Sequence, residues 1–206
     1  VAYSTSLDFD AGSSDSGPWL RWHAGQTHDG SIAAGQWSVR DSDGVTVVNL
    51  TKPGLVLNWP VSKIGWMLTS GAQGVAPEKQ WALDRSKLGR QPGRDWKKAL
   101  HCEVAYARDA RAVWEQSGVG AWSTFARIMA TLREHNADQE LPALPLLTFT
   151  GHDAVRVGMG ATLIAKFSLV RFVPRPDCLT EEDDAEPAEP LRGAPTGSLF
   201  DDEIPF

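Results

Sequence analysis

The residues of this chain best suited to act on a ligand are two tryptophans set among cations. Between positions 79 and 98 stand Lys79, Arg85, Lys87, Arg90, Arg94, Lys97 and Lys98 against only Asp84 and Asp95, a local balance of +7 − 2 = +5. Trp81 and Trp96 are interleaved with them. Indoles stack on bases of any sequence at about 1–3 kcal/mol per base, and cations pair with the phosphates between. The combination suits sequence-tolerant binding of a single nucleic-acid strand, so these residues are the leading candidate DNA contacts. Arg21 and Arg40, next to Trp22 and Trp37, form a second-rank set, with Trp19 beside them. Most of the nine tryptophans should nevertheless be core, because tryptophan is heavily buried on average. Trp66, Trp114 and Trp122 are assigned there, since they lie in apolar runs or on the apolar face of a helix.

Enzymatic signatures are thin, and a non-enzymatic protein is expected. The histidines, His23, His28, His101, His135 and His152, have no metal-binding spacing, and Cys102 and Cys178 form no ligand pair. Neither a metal nor a cofactor is expected. There is no GxxxxGK[ST] phosphate loop and no GxSxG elbow. Asp41 with Asp43, or Asp8 with Asp10, could be imagined as a nuclease carboxylate pair, but acidic residues in turns are common. The Asp41-Ser42-Asp43-Gly44 string lacks the remaining oxygen ligands of a calcium loop and reads as a tight turn. Two cysteines without a disulfide framework fit a reducing cytoplasm; the first residues do not read as a signal peptide, and there is no apolar run of membrane-spanning length in the sequence.

Charge is segregated along the chain. Residues 177–206 hold ten acidic groups against Arg192, or +1 − 10 = −9, whereas residues 1–176 hold nineteen basic and sixteen acidic groups, or +3. A mildly basic body with an acidic tail points to a polyanion partner, and the tail can compete for the same positive groove. The sequence finishes Asp201-Asp202-Glu203-Ile204-Pro205-Phe206. An apolar plug beside carboxylates fits a hydrophobic pocket rimmed by Arg or Lys on a partner.

This six-residue stretch resembles the acidic tip of the bacterial single-stranded DNA-binding proteins, which ends Asp-Asp-Asp-Ile-Pro-Phe. The body shows no close match to the housekeeping member of that family, and its long 71–98 insertion departs from it. The chain looks more like a phage- or prophage-type member. The resemblance implies an OB-fold, a role in replication, recombination and repair, and a place in the cytoplasm or nucleoid of a bacterial host. It also implies that residues 201–206 recruit proteins to the strand, and a homo-oligomer is compatible with it.

The elements that must position these residues follow from periodicity. Residues 1–17 are polar and read as a flexible arm. Short strands are expected at 19–23 and 36–40, with 45–50 returning across the Asp-Gly turn as a hairpin. Extended segments follow at 55–59 and 64–69. Gly74, Pro77, Gly89, Pro92 and Gly93 mark 71–98 as a long basic loop. Residues 99–106 alternate as a half-buried strand, which 112–115 extend or follow. Trp122, Phe125, Met129 and Leu132 then fall at helical spacing, predicting one amphipathic helix over about 121–136. A strand or hairpin across Gly151-His152-Asp153 and a long strand at 162–173 complete the body, which Pro174 and Pro176 end. Residues 177–198 are a disordered acidic, Pro-containing linker by composition, and 199–206 form the partner-binding tip.

Strands, one helix, then more strands is the order of a mainly β, five-stranded OB-type Greek-key barrel spanning 18–176. The expected function is a non-enzymatic single-stranded DNA-binding protein that protects the strand and recruits partners through its tip. The alternative is a phage-encoded interaction protein that borrows the tip to capture or block host repair factors without binding DNA.

Overall fold

Alternation sets the first three strands. In β1 (Trp19–His23) Leu20 and Trp22 point inward, and in β2 (Gln36–Asp41) Trp37 and Val39 do so. A two-residue turn leads from β2 to β3 (Gly44–Val48); the Asp43 amide donates to Asp41 Oδ1 at 2.9 Å, and Gly44 takes φ +128°. This computed structural model describes residues 17–70, 75–84, 87–107 and 110–180. The expected arm at 1–16, the linker from 181 onward, the tip and Arg85 lie outside the described residues.

The chain continues through β4 (Leu55–Leu57), β5 (Lys63–Leu68), β6 (Glu78–Trp81), β7 (Lys97–Tyr106) and β8 (Ala110–Ser117). Helix α1 (Val119–Glu134) follows, then β9 (Leu144–Val157) and β10 (Gly160–Val173). The architecture is mainly β with one helix, but ten strands form where five were expected. They make one sheet in which eight follow the order β10-β9-β4-β7-β8-β1-β2-β3, with β5 branching from β7 and β6 pairing with β5. The long β7 serves two neighbours on one edge, β5 along 97–101 and β4 along 104–106, while β8 runs beside its other edge.

The sheet curls. Trp22 and Trp37, near one end of the strand order, meet Phe149 and Phe167 from the other at centroid distances of 5.8 and 5.7 Å. The Trp22 indole N–H donates to the Leu163 carbonyl at 2.9 Å, tying β1 to β10. Trp37 also lies 5.2 Å from both Trp22 and Trp114, so a column of indoles forms the centre of the core. Helix α1 covers the end of this core with Ala121, Phe125, Ile128 and Leu132. It comes close because position 120 is glycine: a Cβ there would sit 2.8 Å from the Leu163 carbonyl. Thr124 then donates to Gly120 O at 2.8 Å and accepts the Ala165 amide at 2.9 Å, pinning helix to strand.

Of the strand or hairpin expected across residues 151–153, the strand forms: β9 runs through them, with Gly151 at φ +119° and the extra residue Thr150 absorbed in a bulge opposite Lys166 and Phe167. Two organisational expectations need correction. The 71–98 segment is not all loop, since β6 and the start of β7 lie within it. The body does not end at Pro176 either. Asp177–Leu179 form a 3-10 turn that buries Leu179, and Arg175 Nη1 donates to both Asn58 Oδ1 at 3.1 Å and Leu179 O at 3.2 Å. Among the described residues no helix is long and apolar enough to cross a membrane.

Candidate nucleic-acid interface

The cationic, tryptophan-bearing segment 79–98 divides in the fold, and its two halves do different things. Its first half is a strap. Strand β6 pairs with β5 in the register Gly65↔Trp81 and Met67↔Lys79. A Cβ at Gly65 would stand 2.2 Å from the Gln80 carbonyl, so β6 lies over the face of the sheet that Gly65 occupies. His101 and Glu115 share that face through the pairs Lys63↔His101 and His101↔Glu115. Folded over them, Lys79 forms an ion pair with Glu115 and stands 5.9 Å from the Trp19 ring. The Trp81 ring packs edge-on to His101 at 5.9 Å.

Glu115 is the anchor of this arrangement, with a side chain only 8 % exposed. Burial pushes its carboxyl upward, but hydrogen bonds and charge from His101, 3.0 Å away, and from Lys79 outweigh it and hold the group below the ordinary glutamate range. Lys79 and Trp81 are thereby each held by a protein partner, Lys79 remaining exposed and Trp81 half-buried. Trp19, Arg21 and Arg40, all half-buried, flank the strap on the same face, Trp19 directly opposite Arg40.

The second half forms a corner at the far end of the same strands. The Trp66 indole N–H donates to the Gly89 carbonyl at 2.9 Å, and Gln91 Nε2 donates to the Arg94 and Trp96 carbonyls at 3.3 and 2.8 Å. These bonds hold the 87–96 loop against the end of β5. Trp66 pairs across to Lys98 on β7, whose ammonium lies 5.3 Å from the Trp122 ring on the first turn of α1. The Gly118 amide, donating to Lys98 O at 3.0 Å, fixes the start of α1 to this point. Trp66, Trp96 and Trp122 are half-buried here, while Arg90, Arg94, Lys97 and Lys98 are exposed. Lys87 is exposed nearby, 3.8 Å from Asp84.

Half-buried indoles with solvent-facing cations around them can stack on bases while the cations meet phosphates. Of the expected contacts, Arg90, Arg94, Trp96, Lys97 and Lys98 are brought together in this way. Trp22 and Trp37 are not available: each is 1 % exposed, in the indole column that closes the curl. Their neighbours Arg21 and Arg40 misled because alternation sends adjacent residues to opposite faces. Trp114 is core, as expected. Trp66 and Trp122 were assigned to the core and are only half-buried. Trp122 continues the apolar stripe of α1 and packs against the core, but part of its ring remains open to solvent. The apolar period gives the direction of a side chain and not how far the opposing surface extends.

A second cationic feature lies on the other side of α1. Arg127 and Lys166 both bind Asp153, at 2.9 and 3.0 Å, and hydrogen bonds from Lys166 and Arg127 hold that carboxyl below its ordinary range. They border a cleft of about 430 Å³ between α1 and the β9–β10 hairpin, floored by Ile128, Ala165 and Phe167. One carboxylate already offsets one of the two cations, so this cleft is less electropositive than the tryptophan corner. Among the described residues, no group of three or more His, Cys, Asp or Glu side chains is arranged to hold a metal ion. Comparison of the chain with models of protein families, with curated proteins and with solved structures found no match in any of the three.

Proposed function

We propose that this chain is a non-enzymatic, sequence-tolerant single-stranded DNA-binding protein built on an OB-type curled sheet. The observation that carries the reading is the corner where Trp66, Trp96 and Trp122 lie half-exposed among Arg90, Arg94, Lys97 and Lys98. Bases stack on the indoles, and the cations track the backbone. The 87–96 loop needs little ordering on binding, because Gln91 and Trp66 already hold it. The Asp201–Phe206 residues, similar to the family tip, recruit replication, recombination and repair proteins, whose Arg or Lys side chains pair with the carboxylates. The acidic linker tethers those partners near the strand and raises their effective concentration.

A second reading is an interaction protein that presents the tip without binding DNA. It is favoured by the burial of Trp22 and Trp37, which takes two expected contacts off the surface, and by the pairing of Lys79 with Glu115 and of Trp81 with His101.

Titrating the full chain with labelled oligo-dT and with duplex, at several salt concentrations and with and without magnesium, separates these. Single-strand preference with a steep salt slope supports the first reading. No binding of either substrate sinks it in favour of the second, and magnesium-dependent cleavage replaces both with a nuclease.

A further inference from the structure

Strand β3 is the outer strand at one end of the sheet order, and among the described residues it pairs with β2 alone. Soluble proteins blunt such edges with charged residues, proline or bulges, because unpaired N–H and C=O groups template another strand. Here none of these devices is present. The strand reads Gly44-Val45-Thr46-Val47-Val48, its register against β2 is unbroken from Gly44 to Val48, and Val45 and Val47 are 55 % and 47 % exposed.

The unpaired groups are placed for a particular partner. The two-residue turn makes Asp41 and Gly44 a hydrogen-bonded pair, so bonding to β2 alternates through Thr46 and Val48. The amides and carbonyls of Val45 and Val47 therefore point away from β2, to the open edge. We propose that this edge takes β3 of a second copy of the chain, antiparallel, about a twofold axis at Thr46. Val45 of each copy then exchanges both hydrogen bonds with Val47 of the other, four in all, and the two Thr46 residues face each other as the non-bonded pair. The pairing is reciprocal, Val45 with Val47 and Val47 with Val45, which is what an isologous contact requires. Charge does not oppose it: continuing the register, Asp43 falls opposite Asn49 of the second copy, and β3 itself carries no charged residue, so no like charges oppose along the shared edge. The proposal stands independently of strand binding, since β3 contributes nothing to the tryptophan corner.

The test is sedimentation of the full chain over a concentration series, alone and as the V45K/V47K variant. Both valines are exposed, so the variant should fold, which circular dichroism checks. The wild type is expected to form a dimer that dissociates on dilution. In the variant each lysine faces a lysine, and association should weaken by about tenfold or more. Thr46→Cys should cross-link to its symmetry mate under mild oxidation, because opposed Cα atoms in a non-bonded pair lie about 4.5 Å apart. Asn49→Cys, away from the axis, should cross-link far more slowly, and the wild type measures the background from Cys102 and Cys178. A wild-type monomer at every concentration overturns the proposal. So does a dimer that survives V45K/V47K, or equal cross-linking at 46 and 49. A monomer that dimerises only once residues 1–16 are removed also overturns it, assigning the edge to the chain's own N-terminal residues.

Discussion

Lys79 of β6 and Glu115 of β8 form an ion pair although β5 and β7 separate their strands in the sheet. The pair exists only because β6 doubles back over the sheet face, and it makes Lys79 a structural cation. Lys79→Met should leave the buried Glu115 carboxylate with His101 as its remaining partner and cost about 1–3 kcal/mol. Affinity for oligo-dT should change little. Denaturant unfolding beside a binding titration checks this, and a large affinity loss at unchanged stability would refute it. The folded-state pKa of Glu115 lies below its unfolded value. Its contribution is therefore complete above the ordinary glutamate pKa, about 4.3, and disappears as pH falls through the lower folded value.

Gly65 permits the strap. An alanine methyl would meet the Gln80 carbonyl at 2.2 Å and Trp81 Cα at 2.9 Å, both backbone atoms that cannot swing aside. Gly65→Ala should cost about 1–3 kcal/mol and speed hydrogen exchange at residues 78–81 more than in β9 or β10. Uniform acceleration across the sheet would count against a local strap.

His23 gives the fold a pH dependence at milder acidity. Burial, reinforced by the Arg21 charge, lowers its pKa from 6.5 to about 4, and its ring bonds the Ser38 hydroxyl at 2.8 Å. The unfolded chain thus takes up a proton that the folded one refuses. Stability from this group is intact above pH 6.5 and is lost as pH falls toward 4, a change of about 3 kcal/mol at about 1.4 kcal/mol per unit. His23→Gln, which keeps a hydrogen-bonding group and does not titrate, should flatten the stability profile across that interval. An unchanged slope would mean that another group governs it.

The tryptophans should separate by position. Trp96→Ala or Trp122→Ala should weaken oligo-dT binding by about 1–3 kcal/mol. Trp81→Ala, whose ring packs on His101, should mainly lower stability. Fluorescence quenching titrations with each purified variant distinguish the two effects. Loss of affinity confined to Trp81→Ala would move the strand to the strap and the Trp19–Arg40 face.

Where the chain is cut near its acidic tail should matter. A truncation that removes residues from Asp177 onward exposes the Leu179 pocket and costs about 2 kcal/mol. One that removes residues from Glu181 onward should leave the melting temperature unchanged, with DNA binding unchanged or tighter at low salt. Equal melting temperatures would show that Leu179 adds nothing to the core.

Much of the local organisation was legible in the amino-acid sequence, because it depends on near neighbours. The β2–β3 hairpin followed from its Asp-Gly turn, the central strand at 99–106 from strict alternation, and α1 from its 3.6-residue period. The acidic tail and its resemblance to a known tip are likewise matters of composition and order alone. What periodicity could not supply is which surfaces meet. Trp22 and Trp37 are core because distant β9 and β10 bring Phe149 and Phe167 onto them. Trp66 and Trp122 stay half-open because the opposing surface covers only part of each ring. Lys79 and Lys98, near each other in the chain and alike in charge, part company because Gly65 lets one half of the segment fold over the sheet while the other half stops at its edge. Side-chain direction is a local property of the backbone. Burial and charge pairing depend on what lies across the gap, and only the tertiary structure decides that.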